Sequence, residues 1–285
     1  MTSTTPPLII QDAPRRTPWG RWGIQSAALT YLTVLLLIPL AVIFQDGLKG
    51  GLSALWESIS LPIAWSALRL TLWTSAVMAV INAIMGTLTA HVLVRYSFPG
   101  KSLLNSIVDL PLAIPTLVTG VMLVLLYGPQ NIIGGWFQDQ FDWRIIFAPP
   151  GIILALLFVN FPFVVRAVQP VLESLDRESE EAAATLGAGA ATIFWRVTLP
   201  ALWLSIASGA LLSFARAIGE FGSIVIVAGN IPLRSQMAAV YVFGEVESAN
   251  RQGASAMSIV MLSLAFGLVL VVDWLRRRGR KDGTV

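Results

Sequence analysis

Long uncharged apolar runs alternate with short charged segments along this chain of 285 residues. A membrane helix needs roughly 20 apolar residues to cross about 30 Å of hydrocarbon, and each of these runs is long enough. The pattern therefore predicts an all-α polytopic membrane protein of about six transmembrane helices. The predicted spans are residues 24–45, 70–94, 110–138, 145–165, 197–215 and 252–272.

Basic residues are unevenly divided between the two sides that these spans define. Thirteen of the nineteen Lys and Arg residues fall on the side of the N-terminus, five fall on the other side, and Arg216 lies within a span. Because cytoplasmic loops carry an excess of Lys and Arg, this asymmetry predicts that both termini are cytoplasmic, an N-in/C-in arrangement. The same placement explains the pI near 9.6 as topology rather than as nucleic-acid binding.

The composition excludes several kinds of chemistry. There is no cysteine and only one histidine, so disulfides, thiolate zinc sites and multi-histidine metal centres are ruled out. Gly100-Lys101-Ser102 resembles the end of a phosphate-binding loop, but Arg95 stands where that motif needs its first glycine. We therefore expect no metal site, no catalytic residue and no ATP site in this chain.

The boundaries of the transmembrane domain follow from the same pattern. Residues 1–23 are predicted to be a cytoplasmic N-terminal tail, too polar and proline-rich to order itself and without a cleavage site after the first span. Residues 24–275 form the transmembrane domain, and residues 276–285 form a basic cytoplasmic tail. Pro111 and Pro115 predict a broken or kinked turn near the inner end of the third span.

The longest inside segment, residues 167–200, has the pattern of a helical hairpin. Its first helix carries Glu178, Glu180 and Glu181, where the positive end of the helix dipole favours carboxylates. The alanines that follow have high helix propensity and little bulk, so another protein can pack closely on that face.

The rest of this hairpin contains a reversal and a second helix. Gly187 and Gly189 are predicted to end the first helix and let the chain turn back. Residues 191–197 form the second helix, which we expect Leu199-Pro200 to stop at the membrane surface.

Residues 181–200 resemble the EAA loop, the cytoplasmic coupling loop of importer-type ABC transporter permeases. The match consists of Glu-Ala-Ala, three residues, Gly187, nine residues, Val197, one residue and then Leu199-Pro200. This resemblance implies that the loop docks on a separate ATPase subunit. The implied ATPase-coupling residues are Glu181, Ala182, Ala183, Gly187, Val197, Leu199 and Pro200.

Further motifs lie within residues 65–274: Arg95-Tyr96-Ser97-Phe98-Pro99-Gly100-Lys101, Asp109-Leu110-Pro111, Pro162-Phe163-Val164-Val165-Arg166, Gln169-Pro170-Val171-Leu172 and Ala215-Arg216-Ala217-Ile218-Gly219-Glu220-Phe221-Gly222. They are similar to those of the sulfate/thiosulfate permease pair, and Ile114-Pro115-Thr116 resembles its T-type subunit. The family implies a type I ABC importer fold, first described for the methionine permease, in the bacterial cell inner (plasma) membrane. It implies as partners a W-type permease in a heterodimer, an ABC ATPase dimer that binds the ATP, and a periplasmic sulfate/thiosulfate-binding protein. No cofactor is expected on this chain.

Alternative functions stay open at this point. A molybdate or tungstate permease of the same superfamily would carry an anion of the same charge and shape. A non-transporting membrane scaffold is a second alternative. An intramembrane enzyme is disfavoured, because the spans lack a serine–histidine or paired-aspartate arrangement.

Arg216 and Glu220 are charged residues in an otherwise apolar stretch. A charge in a span costs at least ~2.5 kcal/mol by insertion scales, so it normally faces the bundle interior or a wet path. The spacing of four residues predicts one helical face and an ion pair. The pair either lines the substrate pathway, with Arg216 attracting the dianion and Glu220 limiting its affinity, or fixes the packing of the span.

Other polar residues receive structural interpretations. His91 is interpreted as an interface residue, Asp109 as a first-turn or loop carboxylate, and Arg166 and Arg196 as markers of the membrane boundary. Three glycines in apolar runs are predicted to allow close helix contacts. They are Gly86, Gly120 and Gly209.

Overall fold

A computed structural model describes residues 18–281, which are almost entirely helical. The chain divides into two units, Met1–Gln45 and Asp46–Val285. Helix α1 (Pro18–Leu32) continues through a π-helical turn (Thr33–Leu37) into α2 (Ile38–Gly47), whose last two residues belong to the second unit. The helices that follow are α3 (Gly51–Ser60), α4 (Pro62–Arg95), α5 (Lys101–Ala113), α6 (Thr116–Tyr127), α7 (Ile132–Phe141), α8 (Pro149–Ser174), α9 (Glu178–Thr185), α10 (Ala190–Ile193), α11 (Leu199–Ile218), α12 (Gly222–Val227), α13 (Ala238–Glu247) and α14 (Arg251–Lys281).

The first and last helices extend into the segments predicted as tails. Helix α1 is described from Pro18 onward, so it includes residues of the segment predicted as the N-terminal tail. Helix α14 carries the basic segment as far as Lys281. Residues 1–17 and 282–285 lie outside the part of the chain that the structure describes.

Long apolar helices reproduce the predicted number of spans. Within residues 18–281, five helices are long and apolar enough to cross a membrane, and one bent helix pair makes six when it is counted as a single span. The five are Trp22–Gly47, Pro62–Arg95, Pro149–Ser174, Ala190–Ile218 and Arg251–Leu275. The pair is Lys101–Ala113 with Thr116–Tyr127.

The third span is broken near its inner end, which confirms the broken or kinked turn predicted from Pro111 and Pro115. Helices α5 and α6 meet at 107° because Ile114 and Pro115 are both extended, with ψ of 129° and 131°. The ring of Pro115 disfavours a helical conformation at the residue before it, which is why the break falls here. The span also ends earlier than predicted, at Tyr127, and Trp136 belongs to the separate helix α7.

The second helix of the inside segment continues through Leu199-Pro200, so the prediction that these residues stop it is wrong. Helix α10 runs through a π-helical turn (Phe194–Thr198) into α11 without a break. The N–H of Leu199 bonds to the carbonyl of Phe194, five residues earlier. This wider turn accommodates Pro200, whose ring would otherwise clash with the preceding turn. Residues 190–218 therefore form one helical segment.

Three helices of the second unit form its centre. Helix α8 packs against both α4 and α11, and small residues bring these helices close together. A Cβ atom on Gly86 would lie 2.8 Å from the Cβ of Val164, and one on Gly209 would lie 2.8 Å from the Cβ of Ala167. Only glycine allows these approaches, which confirms the predicted close contacts.

Candidate functional site

The first helix of the inside loop, α9, is capped by a side chain at its start and by the backbone at its end. The Asp176 carboxylate accepts a hydrogen bond from the Glu178 N–H at 3.0 Å, and this satisfies a free donor of the first turn. At the other end, the N–H of Ala188 bonds to the carbonyl of Ala183 at 3.1 Å. Gly187 takes the left-handed conformation, with φ +84°, that this helix ending needs. The predicted reversal at Gly187 is confirmed, whereas Gly189 has an ordinary φ of −71°.

The predicted coupling residues form a largely open surface. Among them, Glu181, Ala182, Gly187 and Pro200 are exposed. Ala183, Val197 and Leu199 are half-buried. Leu186, which the sequence analysis did not single out, has 88% of its surface exposed immediately before the turn. Leu186 therefore adds one large apolar side chain to the exposed surface that the coupling residues form.

Glu180 fastens this loop to the membrane helices. Its Oε1 atom accepts hydrogen bonds from Arg95 Nη2 and from the Thr198 hydroxyl, each at 2.9 Å. Arg95 ends α4, and Thr198 directly precedes α11, so one carboxylate connects α9 to both helices. His91 packs beside this junction, edge-to-face with Tyr96 and Phe194.

Arg166 is the centre of a second junction, and its interpretation as a boundary marker was incomplete. Its Nε and Nη2 atoms donate to the two carboxylate oxygens of Asp109 at 2.7 and 2.6 Å. It also donates to the side chain and the carbonyl oxygen of Asn105. The placement of Asp109 in a loop or first turn was wrong, since it lies in the third turn of α5. This bidentate pair joins α5 to α8.

Arg216 and Glu220 form the predicted ion pair, although not on one helix. Arg216 Nη1 lies 2.8 Å from Glu220 Oε2. Helix α11 ends at Ile218, so Glu220 lies just beyond it. Its Oε1 atom accepts hydrogen bonds from the N–H and the hydroxyl of Ser223, at 3.1 and 3.0 Å.

The two partners of this pair differ in what they can still bind. The Glu220 side chain is 1% exposed and both of its oxygens are occupied, whereas the Arg216 side chain is 40% exposed. A guanidinium has five N–H donors in a planar fork that matches an oxyanion, so Arg216 can bind an anion without leaving Glu220. The coupling residues and this pair are not brought together. Val197, Leu199 and Pro200 lie near the start of the Ala190–Ile218 segment and Arg216 lies near its end, whereas the other coupling residues precede the segment.

No metal centre is found in the part of the chain that the structure describes, where no group of three or more His, Cys, Asp or Glu side chains could hold an ion.

Residues 82–281 match the family described as "Binding-protein-dependent transport system inner membrane component". The probable sulfate transport system permease protein cysT of Nephroselmis olivacea is 41% identical over 267 residues, covering 94% of this chain and 92% of that protein.

Two solved structures are similar in fold. A bacterial alginate ABC transporter in complex with its pentasaccharide-bound periplasmic protein has a TM-score of 0.75 at 17% identity, covering 91% of this chain and 94% of that one. The inward-facing MetNI methionine ABC transporter has a TM-score of 0.54 at 18% identity, covering 77% of this chain and 98% of that one. These identities show the fold alone, and they confirm the predicted type I importer fold.

Proposed function

This chain belongs to the family of sulfate transport system permeases, and from that premise we propose that it forms half of the membrane pathway of an ATP-driven importer of sulfate and thiosulfate. It is an inner membrane component of a transport system rather than the catalytic subunit. The observation that carries the proposed cargo is the similarity to a sulfate permease over 94% of the chain.

The exposed face of α9 is the proposed docking surface for the ATPase. Glu181, Ala182 and Leu186 present a small, partly apolar ridge beside the turn at Gly187. Glu180 supports the same role from the inside, because its bonds to Arg95 and Thr198 carry any movement of the loop into α4 and α11. Closure of the ATPase dimer then moves the loops together and turns the permease outward.

The remaining partners are proposed from the family. A second, W-type permease completes a heterodimer, because one chain of this fold supplies only one wall of a pathway. A periplasmic protein that binds sulfate or thiosulfate delivers the anion, and ATP is bound by the ATPase dimer alone.

Arg216 is the proposed anion contact. It is the cationic, half-exposed member of an ion pair whose other member is buried, and its free donors suit the tetrahedral oxygens of sulfate. Glu220 reduces the net positive charge at this point, and an anion held weakly can leave as well as enter.

Uptake by the reconstituted complex tests the proposed cargo. ATP-dependent accumulation of radiolabelled sulfate in vesicles, stimulated by the sulfate-loaded binding protein, is the expected result. An excess of unlabelled thiosulfate should compete with it. If molybdate or tungstate competes far better than thiosulfate, the chain is a permease for those anions instead. If no anion is accumulated although the ATPase is bound, the transport function itself is wrong.

A further inference from the structure

A cleft of about 710 Å³ opens at the inner ends of α4, α5 and α8, and the functions assigned above leave it unused. We call it the inner cleft. Its polar lining includes Arg95, Lys101, Ser102, Glu173 and Arg177. Ligand sites commonly have volumes of roughly 300 to 1,000 Å³, so the inner cleft is large enough for a small molecule or a lipid headgroup.

The charge of the inner cleft favours an anion. Three of its lining side chains are cationic and one, Glu173, is a carboxylate. Arg95 is neutralised by Glu180, but Lys101 and Arg177 have no ion pair among the side chains that the structure describes. A positive balance therefore remains in the inner cleft.

The beginning of α5 adds backbone donors to this charge. Gly100 precedes the helix with φ +87°, and no side chain caps the 13-residue helix at this end. The Lys101 N–H bonds to the Phe98 carbonyl at 3.3 Å, which leaves the N–H groups of Ser102 and Leu103 facing the positive end of the helix dipole without a side-chain cap. Phosphate and sulfate groups commonly bind at the N-termini of helices.

Arg95 gives a second and independent sign of a ligand. Its side chain is only 9% exposed and lines the inner cleft, yet its Nε atom has no hydrogen-bond partner. A buried guanidinium N–H without an acceptor is costly, and a small movement of the Arg95 side chain towards the inner cleft would let an anion there accept this hydrogen bond.

We propose that the inner cleft binds an oxyanion group of the phosphate or sulfate type, carried either by a free anion or by an anionic phospholipid headgroup. The excess of Lys and Arg places this end of the bundle on the cytoplasmic side, where both sources exist. Basic pockets between membrane helices on that side bind acidic headgroups. The proposal does not depend on which anion the protein transports.

The test compares two double variants of the full chain, purified with its partner subunits. Lys101→Gln/Arg177→Gln removes the two unpaired cations of the inner cleft. Lys49→Gln/Arg144→Gln is the matched control, because it removes one exposed Lys and one exposed Arg elsewhere. The melting temperature of each protein is measured in detergent at increasing concentrations of inorganic phosphate or sulfate, with sodium chloride of equal ionic strength as the reference. It is also measured in nanodiscs of phosphatidylcholine with and without phosphatidylglycerol.

The expected loss of affinity is about fivefold for each cation removed and about 30-fold for the pair, and the control should bind as the unmodified protein does. A response to phosphate or sulfate in detergent identifies a free anion, and a response confined to phosphatidylglycerol nanodiscs identifies a lipid. Equal responses of both variants in both arms would overturn the proposal. Loss of co-purified ATPase from the Lys101→Gln/Arg177→Gln variant with an unchanged anion response would also overturn it, by assigning these cations to the protein interface.

Discussion

Replacing Gly187 with valine perturbs the turn at the end of α9 and little else. Gly187 has φ +84°, a conformation that costs an L-residue roughly 1–2 kcal/mol, with β-branched side chains at the upper end. A Cβ atom at this position would meet nothing within 4 Å, so the cost comes from the backbone and not from a clash. If docking on the ATPase needs this turn, its affinity should fall by about 5- to 30-fold.

Gly189 provides the matched control. It is two residues away, it also has open space around a Cβ atom, and its φ of −71° suits any residue. Gly189→Val should therefore bind the ATPase nearly as the unmodified chain does. Gly187→Asn should be intermediate, because asparagine tolerates the left-handed conformation better than valine.

The assay titrates purified ATPase onto the permease in detergent and measures sulfate uptake in vesicles. Membrane insertion is followed by immunoblotting and should be the same for all variants, since the turn lies outside the spans. Equal ATPase affinity for Gly187→Val and Gly189→Val would show that the turn does not position the docking surface.

Three further predictions follow from the same structure. Single cysteines introduced at Ser174 and Gly135 should lie on opposite sides of the membrane. Labelling of position 174 but not of 135 by an impermeant thiol reagent added outside would show that the predicted topology is reversed. Glu180→Ala leaves Arg95 buried without its partner and should lower the yield of folded protein measured by size exclusion, whereas Glu180→Gln should retain more of it because the amide still accepts hydrogen bonds. Arg216→Ala should abolish uptake while assembly and ATP hydrolysis survive, and Arg216→Lys should restore it only in part. Recovery of uptake in Arg216→Leu/Glu220→Leu would instead make the pair structural.

Features that depend on neighbouring residues could be predicted from the sequence. The apolar runs predicted the spans because membrane crossing depends on length and hydropathy alone. The break at Pro115 follows from the geometry of the residue before a proline, and the reversal at Gly187 follows from the freedom of glycine. Each of these is decided within a few residues of the feature.

Features that depend on distant contacts could not be predicted in the same way. Three carboxylates begin α9, and only the three-dimensional fold decides that Glu180 reaches Arg95, 85 residues earlier. Asp109 and Arg166 are 57 residues apart, and each by itself resembles an ordinary boundary charge. The continuation through Pro200 was missed because proline usually marks a helix end, whereas here the π-helical turn keeps the helix intact.

That continuation connects the two proposed functional regions mechanically. Glu180 binds the π-helical turn at Thr198, which is the last residue of that turn. A displacement of α9 therefore enters the helix beyond the wider turn, where regular α-helical hydrogen bonding begins. From there α11 runs 20 residues, roughly 30 Å, to Ile218, and Arg216 lies in its last turn. Because a helix of this length resists bending, movement imposed at Thr198 should reach Arg216. Glu220, held by Ser223 at the start of α12, does not belong to that helix. We infer that the Arg216–Glu220 pair lies where a moving helix meets a separate one, so ATPase closure would change the geometry of the anion contact itself.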